Sequence, residues 1–160
     1  MKKVLLFACM IVLGLKTSAQ HFNQYCNSVF PFCLDIPGNF VRQGESKIGY
    51  GQFFKTKEGS TLSVFGTYNT EQENLKSRFN RESAALTSDS TLASTTQLPT
   101  IELAEMQENN YTIIYQNQNN SNLIYRKLEN NNWLSIEMQY PNAKAKEYTE
   151  KAKRMIASFK

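Results

Sequence analysis

Residues 101–141 read IELAEMQENNYTIIYQNQNNSNLIYRKLENNNWLSIEMQYP. Four runs rich in β-branched and aromatic residues stand in this stretch, at 101–107, 111–116, 122–129 and 133–140, and each predicts a strand. The last alternates most clearly. Leu134, Ile136, Met138 and Tyr140 fall on one face, and Ser135, Glu137 and Gln139 on the other. The connections are Glu108-Asn109-Asn110, residues 117–121 and Asn130-Asn131-Asn132. All three are too short for the crossover that a parallel pair requires, so neighbouring strands run antiparallel.

Pro141 ends the run, and residues 143–159 predict a helix. Its stripe is Ala145, Tyr148, Ala152, Met155, Ile156 and Phe159, with Glu147–Lys151 and Glu150–Arg154 as i,i+4 pairs. Upstream, residues 32–36 start a strand punctuated by Pro37-Gly38, and 40–42 continue it. Residues 48–55 and 60–68 predict a hairpin about Thr56-Lys57-Glu58-Gly59. Thr70-Glu71-Gln72-Glu73 fits a capping box opening a helix, whose stripe Leu75, Phe79, Leu86 is interrupted by Glu82. Residues 87–100 are Ser/Thr-rich and aperiodic, and predict a mobile connection. Strands, helix, meander and terminal helix make the class α+β: an antiparallel sheet of about six or seven strands with helices packed on its faces.

The chain has 160 residues, a size suited to a single core. Residues 1–19 read as a secretory signal peptide. Lys2 and Lys3 precede an apolar run over 4–15, and Thr17-Ser18-Ala19 places small residues before a cut at Gln20. Residues 20–160 then form one domain, exported to the periplasm or the extracellular space, with no membrane span. The formal net charge of +4 includes Lys2, Lys3 and Lys16. Without them fifteen basic residues face fourteen acidic ones, about +1, which leaves no basic footprint for nucleic acid.

Two cysteines survive that cut, Cys26 and Cys33, and an oxidising compartment favours a disulfide between them. Seven extended steps span roughly 23 Å at about 3.3 Å each, whereas bonded cysteines need Cα atoms within roughly 4.4–6.8 Å. A bonded pair therefore demands a chain reversal near Asn27-Ser28 or Phe30-Pro31. The alternative is two free thiols on either side of a strand.

Phe32-x-Leu34-x-Ile36-Pro37-x-x-Phe40, the arms Gly51-Gln52-Phe53-Phe54 and Leu62-Ser63-Val64, Trp133 to Tyr140-Pro141, Tyr148, and Ile156-x-Ser158-Phe159 together resemble the PsbP-like fold group. The group includes the extrinsic photosystem II protein, a Ran-binding relative and exported bacterial domains of unknown role. The resemblance covers roughly residues 32–159 and implies an antiparallel sheet between helices, an α/β/α sandwich. It implies no catalytic residues, and fold alone transfers no function.

Catalytic chemistry is sparse. There is no G-x-S-x-G, and Gly49-Tyr50-Gly51 precedes no helix, so it reads as strand glycines. The one histidine, His21, stands in an N-terminal stretch expected to fray. No cofactor or metal site is expected. Glu102 and Glu105 are three apart on a strand and face opposite sides. One binding constellation stands out. Alternate meander loops share a pole, which would bring Asn109 and Asn110 together with Asn131 and Asn132 beside Trp133. Carboxamides beside an aromatic face suit a glycan or peptide; ordinary asparagine turns with Trp133 in the core are the other reading. The expected function is an exported, non-catalytic module that binds an envelope protein or glycan. The alternative is a small secreted hydrolase using carboxylates from neighbouring strands.

Overall fold

The last run forms β9, Asn132–Pro141, at the middle of a seven-stranded antiparallel sheet. The computed structural model describes residues 21–45, 49–87 and 98–160. In chain order the remaining strands are β1 Phe22–Asn27, β2 Phe32–Pro37, β3 Val41–Glu45, β4 Gly51–Lys55, β5 Thr61–Tyr68, β6 Thr100–Met106, β7 Asn110–Gln116 and β8 Asn120–Glu129. The large sheet runs β3-β4-β5-β9-β8-β7-β6, and β1 pairs with β2 in a separate hairpin. The helices are α1, Leu75–Thr87, and α2, Ala145–Ala157. Among the described residues no helix is long and apolar enough to cross a membrane.

The period-2 pattern gives the sheet two faces of different character. Leu62 and Val64 of β5, Leu134, Ile136 and Met138 of β9, and Leu123 and Tyr125 of β8 point inward to the main core. Onto that face pack the β1–β2 hairpin, through Tyr25, Phe32 and Leu34, and α2, through Tyr148, Ala152 and Met155. Fully burying a large apolar side chain contributes about 1.5–3 kcal/mol, so this layer holds most of the stability. Tyr148 stacks on Tyr140 at 5.2 Å between centroids. The C-terminus is fixed as well. Cys33 N–H donates to the Lys160 carbonyl at 2.9 Å, and Lys160 N–H donates back to the Cys33 carbonyl at 3.0 Å.

The outer face carries α1 over a smaller cluster of Tyr111, Ile113 and Trp133, covered by Leu75, Phe79 and Leu86. Helices thus lie on opposite faces, and the α/β/α arrangement holds. α1 starts later than the capping box predicts. Gln72 adopts φ 51°, a left-handed turn that a helix cannot contain. The cap is Asn74, whose Oδ1 accepts from Ser77 N–H at 2.9 Å. Glu73 N–H donates instead to Asn69 Oδ1, and its carboxylate holds Arg81. A second difference is β1 itself. Residues 22–27 carry only two buried side chains, Tyr25 and Asn27, too weak a pattern to read as a strand. The signal segment and residues 88–97 of the 87–100 connection lie outside the described residues.

Cys26 and Cys33 are bonded. They are register partners across the β1–β2 ladder, with Cα atoms 4.1 Å apart, and residues 28–31 make the required reversal. Asn27 secures that turn. Its Oδ1 accepts from the backbone N–H of Val29 and of Phe30, each at 2.9 Å.

Candidate functional site

α1 covers only part of the outer face. Among the described residues nothing packs over the outer face of β4 and β5 or the ends of β8 and β9 beside them. Register decides what this open area presents. Gly51 of β4 lies opposite Phe65 of β5, and Gly44 of β3 opposite Phe53 of β4. The two glycines therefore carry no side chain where the two phenylalanines rise, and a groove of about 650 Å³ results, flanked by Gln43, Tyr50, Ser63 and Thr67. A Cβ on Gly44 would meet nothing within 4 Å, whereas one on Gly51 would stand 2.4 Å from the Phe65 Cβ. Gly51 is thus required by the close β4–β5 approach, and Gly44 leaves the groove open. Phe53 is 39% exposed, unusual for a phenylalanine in the middle of a strand.

Ser63 is shared with a second, polar pocket of about 290 Å³. Two rows of the ladder build it. Thr61, Gln139, Asn122 and Tyr115 are successive register partners across four strands, as are Ser63, Glu137 and Ile124. Gln139 Nε2 donates to Asn122 Oδ1 at 3.2 Å, while the buried Asn122 Nδ2 has no partner among the described residues. Burial raises the Tyr115 hydroxyl above its ordinary pKa, helped by the Glu137 charge, so it remains a protonated donor.

An ion cluster separates this pocket from α1. Arg126, its side chain only 6% exposed, donates to Glu137 of β9 and to Glu82 of α1, the latter at 3.2 Å. Arg78 joins Glu82 at 3.2 Å and lies over the Trp133 ring at 4.4 Å. Burial works against the Arg126 charge, yet the two carboxylates together hold its pKa above the ordinary arginine value. Glu82 and Glu137 are acids from two elements meeting at one point, and both are tied to a guanidinium. An inverting or retaining pair needs its two carboxyls free on either side of a substrate.

The loop constellation is corrected. Trp133 is 2% exposed, because α1 closes over it, and it offers no face to a ligand. Asn130 and Asn131 adopt φ 49° and 57°, the left-handed pair of a tight hairpin turn. Asn131 is engaged by Asn69, and Asn132 pairs with Glu129. Asn109 and Asn110 sit at the same pole but bond to each other and to Leu128 and Gln107. On the sheet face, Asn122, Gln139 and Tyr115 line the polar pocket and Phe53 and Phe65 the apolar groove, with Ser63 common to both. Alternation along β9 pointed to Glu137 and Gln139 as a wet face, but the cross-strand register that joins them to Asn122 and Tyr115 was not readable from single strands.

No family model matches the chain, and no curated protein matches it. Solved structures do. Cyanobacterial PsbP (CyanoP) from Synechocystis sp. PCC 6803 superposes with a TM-score of 0.67 at 11% identity, covering 91% of this chain and 95% of that one. The Saccharomyces cerevisiae Ran-binding protein Mog1p superposes with a TM-score of 0.61 at 11% identity, covering 89% of this chain and 96% of that one. At such identity the likeness is one of fold, and that fold is the PsbP-like one.

Proposed function

We propose that the chain is an exported, non-catalytic binding module that holds its ligand on the open half of its outer sheet face. One observation carries the binding reading: a preformed concave surface with an exposed Phe53 at its centre, on strands whose own backbones are paired in the ladder. Such a surface is apolar with polar neighbours, as ligand sites are. Export is supported by the lysine pair, apolar run and small residues before Gln20, and by the Cys26–Cys33 bond, which an oxidising compartment sustains. The Ran-binding role belongs to Mog1p and is not carried over.

Two experiments test this. Intact mass of the natively exported protein is expected to begin at Gln20; a species retaining residues 1–19 would remove the export reading. Affinity capture from envelope extract, with the oxidised chain 20–160 as bait, is expected to retain a component that a Phe53→Asp bait loses. Equal retention by both baits would place binding elsewhere, and turnover of ester, glycoside or peptide substrates would overturn the non-catalytic reading.

A further inference from the structure

Resting on that reading of the outer face, we infer that the polar pocket between Thr61, Ser63, Tyr115, Asn122, Glu137 and Gln139 is a saccharide site, taking one uncharged pyranose of a longer glycan. Four features lead there. The side chains alternate hydroxyl, carboxamide and carboxylate, so donors and acceptors are interleaved over a small area, as a ring of hydroxyls requires. Register fixes their spacing, with neighbouring strands about 4.8 Å apart. A pyranose spreads its hydroxyls over a comparable span.

Asn122 supplies the second feature. It is 9% exposed, and its Nδ2 is a buried donor without a partner among the described residues. That Nδ2 lies beneath the pocket surface, so a ligand acceptor meets it only once the amide turns outward, a change favoured by the roughly 1–3 kcal/mol that an unmet buried donor costs. Gln139 donates to the amide oxygen at 3.2 Å, so Nδ2 is the group of this amide that lacks a partner among the described residues.

The third is charge. Glu137 gives one carboxylate oxygen to Arg126, yet its side chain is 44% exposed, so it still accepts from solvent or ligand. With the guanidinium beside it the site is close to neutral. A strongly anionic or cationic ligand finds no net counter-charge, whereas hydroxyls bind well to a carboxylate of this kind.

The fourth distinguishes sugar from peptide. The pocket floor is β5, β9 and β8, all interior strands whose backbone groups are paired on both sides. An extended peptide finds no main-chain ladder to join. Only side chains are on offer, and the apolar groove with Phe65 and the exposed Phe53 begins at Ser63, where a neighbouring sugar unit would lie.

The test titrates the oxidised chain 20–160 with cellotetraose, chitotetraose and, for comparison, tetra-alanine, following calorimetry and the side-chain amide resonances of Asn122. Either tetrasaccharide is expected to bind and to shift those resonances, and the peptide is not. Asn122→Ala and Glu137→Gln are each expected to weaken binding roughly five- to tenfold. Ser63→Ala, at a half-exposed position, does the same in a variant whose fold is in no danger, and Trp133 emission checks the fold of all three. Absence of binding by both sugars, binding indifferent to these substitutions, or preference for the peptide would overturn the assignment. If both sugars fail while Phe53-dependent capture succeeds, the binding module stands and the saccharide site falls; if both fail, both fall.

Discussion

Arg126 on β8 donates to the Glu82 carboxylate on α1 at 3.2 Å, joining side chains 44 residues apart in the chain. This pair fastens the outer helix. α1 has no buried residue, whereas α2 has four. Its apolar grip is three partly buried side chains, Leu75, Phe79 and Leu86. Removing Glu82 leaves Arg126 buried with Glu137 as its remaining acid. Breaking a buried pair from one side costs about 3–5 kcal/mol, and the retained partner puts Glu82→Ala near the lower end. Urea unfolding followed by Trp133 emission measures it. Glu82→Leu combined with Arg126→Met is expected to cost less than Glu82→Ala alone, because no charge is then stranded. A Glu82→Ala protein as stable as the parent would show that α1 is held by its apolar contacts only.

The Cys26–Cys33 bond closes a short loop, and such closure contributes about 2–3 kcal/mol by chain entropy. Cys26 is exposed, so reductant reaches it without global unfolding. Neither cysteine is expected to react with an alkylating agent in unfolded, unreduced protein, and both should react after reduction. Because Cys33 is also bonded to Lys160 through both backbone groups, reduction should raise amide exchange at the C-terminus as well as in β1. Exchange confined to β1 would show that the two are uncoupled.

The start of α1 separates what was legible in the sequence from what was not. Thr70 and Glu73 have the spacing of a capping box, but Asn69 and Asn74 outcompete them: Asn69 bonds Glu73 through both its carbonyl and its N–H, and Asn74 caps Ser77. Asn74→Ala should therefore cost about 1 kcal/mol and Thr70→Ala close to nothing, as thermal unfolding would show; the reverse order would restore the sequence reading. Elsewhere the meander was legible because its runs are rich in β-branched and aromatic residues, β9 alternates, and the connections are short. The disulfide was legible as an expectation for a lone cysteine pair, with free thiols the alternative, and the reversal that bonding demands is the turn at residues 28–31. Glu82, read as a break in a stripe, is the residue that anchors the helix, since its partner Arg126 is a register neighbour of Tyr111 and Ser135 that no local pattern reveals. Asn122 and Gln139 became a site for the same reason: cross-strand register is a property of the folded sheet.

The tyrosines give the fold an alkaline limit. Tyr125 lies in the main core, and burial pushes its hydroxyl from 10.0 up to about 12, with the Glu129 charge adding to the effect. Tyr111, Tyr115 and Tyr140 are raised as well, each chiefly by burial, and for Tyr111 the Glu82 charge acts in the same direction. A phenol is neutral when protonated, so the folded state favours the protonated form. Above pH 10 the unfolded chain releases these protons while the folded chain retains them. The unfolded state then binds fewer protons, and stability falls as pH rises. For Tyr125 the full stabilisation is present below about pH 10 and is lost as pH climbs through about 12. For Tyr125 this amounts to on the order of 1–2 kcal/mol once partial solvent screening is allowed for. Spectrophotometric titration should therefore ionise only part of the eight tyrosines reversibly, the remainder following in one cooperative step as the protein unfolds. Tyr125→Phe should move that step to higher pH, because the residue no longer ionises in the unfolded chain. All eight tyrosines titrating together near their ordinary value, with Trp133 emission unchanged, would show that the sheet admits water to these hydroxyls and that burial does not hold them.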